Sequence, residues 1–116
     1  MHREPRLRVI FYKSRNGKEP VRGWLKSLPS QDKKAIGEDI KTVQFGWPLG
    51  MPLARKLEPG LWEVRSNIST GIARVLFTVQ AEFIVLLHGF VKKSAKTPLD
   101  DLSTARKRMA QVRGEG

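Results

Sequence analysis

The sequence predicts a small α+β domain whose mostly antiparallel sheet packs with helices. Three observations carry that expectation. Short β-branched and aromatic runs occur near the start and again in the second half. Two polar connections between such runs are short enough for hairpins, and three other stretches space their apolar residues as a helix face does. The 116 residues read as one domain over 1–116, since a chain of that length buries roughly two-thirds of its unfolded surface and needs no staples.

The first run, LRVIFY (Leu7 to Tyr12), has the side chains of a strand, and SRNGK breaks it. In EPVRGWLKSL, Pro20 suits a first helical turn, while Val21, Trp24, Leu25 and Leu28 fall at helical spacing. Pro29 closes that helix. Ser30 is the expected N-cap of the next, where Ile36, Ile40 and Val43 form the apolar stripe and Asp32 favours the helix dipole. Gly46 and the loop WPLGMP end it. A hairpin follows, with strands near Leu61–Ser66 and Ile72–Val79, and QAE leads to FIVLLHGF. That nearly unbroken apolar run suggests a central strand covered on both sides. After KKSAK, Thr97 as cap, Pro98 at the first helical position and Asp100 three residues past the cap predict a last helix. Leu102, Ala105, Met109 and Val112 line its inner face. The expected order is β-α-α-β-β-β-α.

Composition narrows function. Lysine and arginine number 22 against 11 acidic residues, and the sequence pI is near 10.6. Such an excess attracts polyanions, nucleic acid first, although a basic surface that serves only solubility has the same composition. No apolar stretch is long enough to span a bilayer, and the start lacks the apolar core of a signal peptide, so a cytoplasmic protein with no membrane partner is expected. Without cysteine there is no disulfide and no thiolate metal ligand. Two isolated histidines make no zinc pattern, and neither a phosphate-binding loop nor a dinucleotide fingerprint is present, so neither metal nor cofactor is expected.

The hairpin carries the chemistry. Alternation puts Trp62 and Val64 on one side and Leu61, Glu63 and Arg65 on the other; opposite them Arg74, Leu76 and Thr78 share the second side. With the apolar side turned to the helices, Glu63, Arg65 and Arg74 are expected on an open sheet face. Two guanidinium groups there could seat a phosphate, or the three charges could form a surface ion-pair set of little energetic weight. Arg55 and Lys56 add charge near the entrance of the hairpin's first strand, and Lys92, Lys93 and Lys96 do so just after the last strand. His88, inside an apolar strand, reads as a buried, hydrogen-bonded structural histidine rather than an acid or base.

The segments PLARKLEPGLWEVR, GIARVLF and FIVLLHGFVKKSAKTPLDDLSTAR resemble the phage-derived HigB-like branch of the RelE/ParE toxin superfamily, with GLWEVR and LLHGFVKKSAKTP the most specific pieces. The resemblance runs from the first strand to the last helix. It implies a RelE-like fold and a type II toxin that cleaves mRNA in the ribosomal A site without metal, by attack of the ribose 2′-OH on the adjacent phosphate. By position it implies that Arg65 and Arg74 stabilise the phosphate and that Lys92 and Lys93 supply the general acid or a phosphate grip. Glu63, where some relatives carry lysine, is either a base or an orienter of Arg65. Arg55, Lys56, Phe90 and Lys96 fall to RNA contact, with Phe90 able to stack on a base. Relatives often place tyrosine or histidine near the end of the last strand or in the last helix; here Phe90 stands at the strand end with His88 two residues before it. The implied partners are the ribosome, mRNA and a helix-turn-helix antitoxin, with operator DNA reached only through the antitoxin complex. The superfamily's ParE branch poisons DNA gyrase, so a non-catalytic inhibitor of a protein target is the alternative, as is an inactive prophage remnant that only binds an antitoxin.

Overall fold

The computed structural model describes residues 7–47, 54–92 and 97–114. Eight elements follow in order: β1 (Arg8–Phe11), α1 (Pro20–Lys26), α2 (Ser30–Gly46), β2 (Ala54–Glu58), β3 (Leu61–Ile68), β4 (Gly71–Gln80), β5 (Phe83–Lys92) and α3 (Leu99–Val112). The five strands form one sheet in the order β1-β5-β4-β3-β2, in which β1 runs parallel to β5 and every other pair is antiparallel. The predicted α+β class, the mostly antiparallel sheet and the central place of FIVLLHGF all hold. One strand is new: β2, ARKLE, has mostly charged or polar side chains, and its pairing with β3 makes it a strand.

Helices cover both faces. On one, Val21 of α1 and Ile36, Ile40 and Val43 of α2 pack on Val64, Val75, Phe77, Ile84 and Leu86. Gly89 admits Trp24 to that layer, because a Cβ on Gly89 would lie 2.3 Å from the Trp24 ring. Trp47 meets Trp62 edge-on at 4.8 Å between centroids and closes the same face. On the other, α3 contributes Ala105 over Leu61, Leu76, Val85 and Leu87, with Tyr12 beside them. Each fully buried aliphatic or aromatic side chain contributes about 1.5–3 kcal/mol.

The covering of the second face overturns one expectation. The side of the sheet that carries Glu63, Arg65 and Arg74 is not open. Alternation assigns the faces correctly, but α3 lies across this one, and Glu63 and Arg74 are fully buried. Helix starts also differ. Pro29 and Pro98, rather than Ser30 and Thr97, occupy the N-cap positions of α2 and α3, and neither start has a side-chain cap. Asp32 does more than favour a dipole: buried, it accepts hydrogen bonds from Ser69 N–H (3.1 Å) and Ser69 Oγ (2.7 Å), fastening the start of α2 to the β3–β4 turn. The WPLGMP loop beyond Trp47 and the KKSAK turn beyond Lys92 lie outside the described residues.

Candidate nucleic-acid interface

Strand register arranges the polar side chains of the α3 face in ranks. Arg55 of β2 stands opposite Glu63 of β3, Glu63 opposite Leu76 of β4, and Leu76 opposite His88 of β5. The next rank runs Arg65, Arg74, Phe90, and the one after it Asn67, Ile72, Lys92. Six of the expected residues (Arg55, Glu63, Arg65, Arg74, Phe90 and Lys92) thus share one face. Lys56 does not join them: it pairs with Trp62 and belongs to the α1/α2 side. Lys93 and Lys96 lie outside the described residues.

Glu63 organises the first two ranks. Its Oε2 accepts a hydrogen bond from Thr97 Oγ1 at 2.8 Å and lies 3.5 Å from Nη1 of Arg74. Its Oε1 lies 3.5 Å from Nη2 of Arg55 and 3.9 Å from Nε of Arg65. Thr97 therefore spends its hydroxyl on the sheet rather than on a helix cap. Three guanidinium groups around one carboxylate leave the cluster positive. Its partly exposed members are Arg55, 37% accessible, and Arg65, 27%, whereas Glu63 and Arg74 are sealed from water. A buried carboxylate needs such partners, because removing a charge from water costs several kcal/mol. The ion-pair set is thus internal rather than the surface set that alternation allowed. It holds the partly exposed Arg55 and Arg65 on one side, where a phosphate can take up those of their donors that stay in reach; Nε of Arg55 is buried.

A second constellation adjoins it. β5 carries a bulge: Leu76 pairs with His88 but Phe77 with Leu86, so Leu87 is the extra residue. Leu87 and His88 consequently both turn toward α3, and Gly89 takes the opposite side, under Trp24. His88 Nε2 lies 2.6 Å from Asp101 Oδ1, Nη1 of Arg108 lies 3.4 Å from His88 Nδ1, and the ring stacks on Phe90 at 5.5 Å. Nη1 of Arg108 also donates to the Leu87 carbonyl at 2.8 Å, satisfying a group the bulge takes out of the regular ladder. Burial lowers the Arg108 guanidinium below its usual range, with the neighbouring Tyr12 working against that shift. The expected hydrogen bonding of His88 is present, but its ring is 19% accessible rather than buried. Neither Asp101 nor Arg108 stood out in the sequence, because only the bulge brings His88 to the side of α3.

A five-stranded mixed sheet with two helices on one face and one on the other has the layout of a small RelE-like α+β domain. Residues 23–110 match the family model described as Phage derived protein Gp49-like (DUF891), and the chain belongs to that family, a family of RelE-like toxin–antitoxin toxins. No curated protein matches the chain. Among the described residues no helix is long and apolar enough to cross a membrane.

Proposed function

We propose that the chain is a type II toxin of the HigB-like branch: a metal-independent endoribonuclease that cuts mRNA on the ribosome, in the cytoplasm. The observation that carries this reading is the placing of Arg55, Arg65 and Lys92 on one sheet face, with both arginines held by a buried carboxylate. In the proposed reaction the 2′-oxygen forms a bond to phosphorus as the bond to the 5′-oxygen breaks, yielding a cyclic phosphate and a 5′-hydroxyl. One proton leaves the 2′-hydroxyl and one reaches the 5′-oxygen. Arg65 and Lys92 face the phosphorane oxygens, where preformed cations contribute most. Phe90 stacks on a base, and Arg55 and Lys96 follow the strand. Lys93 remains a proposed acid.

Arg74 and Glu63 take inner roles. Arg74 supports Glu63, and Glu63, engaged by three arginines and Thr97, orients Arg55 and Arg65 rather than taking the proton. A helix-turn-helix antitoxin is the proposed neutralising partner, and operator DNA is reached through that complex.

The test is induction in cells followed by primer extension on a reporter mRNA, comparing wild type with Arg65→Ala/Lys92→Ala. Cuts confined to the translated region and lost in the double variant are expected. Growth arrest without cuts would replace this reading with a protein target. Neither cuts nor arrest would leave an antitoxin-binding domain without activity, which the burial of Glu63 and Arg74 favours as the second reading.

A further inference from the structure

β1 ends the sheet, and among the described residues no strand pairs with its outer edge. Its inner edge is occupied. The N–H of Arg8 donates to the Glu82 carbonyl at 2.7 Å, and that of Tyr12 to the Leu86 carbonyl at 2.9 Å. A parallel ladder uses alternate residues in this way, so Ile10 belongs with these two, while Val9 and Phe11 turn their backbone N–H and C=O groups outward. Such a row is a template for another strand.

Each side of this edge carries an apolar cavity. One, about 270 Å³, lies toward α1 and α2 and is lined by Val9, Phe11, Leu25 and Ile40 among others. The second, also about 270 Å³, lies toward α3 and includes Ile10, Tyr12, Val85 and Val112. Ile10 is 41% accessible, unusual for a large apolar side chain in this molecule. A strand laid along the edge sends successive side chains to opposite faces. Its alternate residues would enter one cavity and then the other, the arrangement by which strand addition gains specificity.

Charge selects the occupant. Arg8 and Lys13 stand at the two ends of β1, Lys41 lines the α2-side cavity, and the Arg22 guanidinium lies 4.8 Å over the Phe11 ring. Acids stand near as well: Glu19 is engaged by Arg22 at 2.9 Å, the Glu82 carbonyl accepts from Arg8, and Glu38 precedes Lys41 on α2. A second copy would set two such basic edges together in a chain of net charge +11. We infer that the outer edge of β1 is a strand-addition site for an extended segment of a partner protein, with alternating apolar side chains and acidic residues at its ends. This goes beyond the ribonuclease reading and stands on the edge alone; in a toxin the neutralising partner would supply the segment.

The probe is a synthetic peptide with an alternating valine–threonine core and glutamates at both ends, set against the same core with lysine ends. The variant is Val9→Pro, which deletes an outward N–H and keeps the bonds to β5; proline is tolerated at such edge positions. The acidic peptide is expected to bind, to protect the Val9 and Phe11 amides from hydrogen exchange, and to weaken as salt is added. The lysine-ended peptide is expected to bind at least about tenfold more weakly, and Val9→Pro to abolish binding at unchanged melting temperature. Should Val9→Pro unfold, Ile10→Gln, which keeps every backbone group and the net charge and puts an amide at the α3-side cavity, serves in its place with the same expectation. Unprotected Val9 and Phe11 amides, equal binding of the two peptides, or binding retained by the folded variant would overturn the proposal. So would wild-type self-association that Val9→Pro abolishes, which would assign the edge to a second copy.

Discussion

Arg65 and Arg74 face each other across β3 and β4 as a register pair, yet they belong to different environments. Arg65 keeps 27% of its side chain in water and reaches Glu63 only at 3.9 Å, whereas Arg74 is sealed and lies 3.5 Å from the same carboxylate. Removing a buried member of an ion-pair set leaves its partner charged and less compensated, which costs about 3–5 kcal/mol. Removing the half-buried Arg65, which stands 3.9 Å away and leaves Glu63 with Arg55, Arg74 and Thr97, costs roughly 1 kcal/mol or less. Arg74→Ala is therefore expected to lower the urea midpoint steeply, and Arg65→Ala to leave it nearly in place while reducing phosphate binding. Equal losses of stability from the two substitutions would contradict this division of roles. It also says why a test of the proposed chemistry should use Arg65 and Lys92: loss of activity on replacing Arg74 would not separate chemistry from folding.

α3 is attached to the sheet by a small apolar patch and a series of polar links. Of its residues only Ala105 is fully buried. The links include Asp101 to His88, Arg108 to the Leu87 carbonyl, Arg113 to Thr78, and the two-pronged pair of Arg106 with Glu58. The hydrogen bond from Arg106 is the largest influence on Glu58 and holds its carboxyl below the ordinary 4.5; burial opposes the shift and the charge of Arg106 adds to it. A carboxyl whose pKa is lowered by folding contributes stability above its unfolded value and loses that contribution as pH falls through its folded value. Arg106→Gln is thus expected to lower the melting temperature at neutral pH only modestly, since the pair is exposed, and to flatten its decline below about pH 4.5. Parallel melting-temperature curves for the two proteins across that acid range would show that the pair does not fasten α3. The sequence made most of these elements legible: hydrophobic period located all three helices and four strands. It missed β2 because three of the five side chains in ARKLE are charged, and pairing rather than pattern makes that segment a strand. It missed the His88–Asp101 contact because one extra residue, Leu87, reverses which side of β5 the following residues face.

At the scale of the whole molecule, two requirements meet on one sheet face. α3 covers Leu61, Leu76 and Leu87, while Arg55 and Arg65 beside them stay partly reachable from solvent. On the same face Glu63 and Arg74 are fully buried, Thr97 just before α3 donates to Glu63, and that carboxylate lies among Arg55, Arg65 and Arg74. Alternation read the faces of the β3 and β4 side chains correctly, but which face a terminal helix covers depends on long-range packing that alternation does not encode. The overall charge of +11 attracts any polyanion, so affinity alone cannot identify the interface; its salt dependence can. On a single strand, each phosphate that a side chain no longer neutralises reduces the slope of log affinity against log salt by about 0.7. Binding of a short single-stranded RNA across a salt series is expected to lose about that much slope for Arg65→Ala and again for Lys92→Ala. Lys56→Ala is expected to leave the slope unchanged, since Lys56 is exposed but belongs to the opposite side of the sheet. The Lys56 variant removes the same unit of net charge as the other two, so a general electrostatic attraction would make all three alike. A slope reduced equally by Lys56→Ala would mean that RNA binds the charge of the protein rather than the face that Glu63 organises.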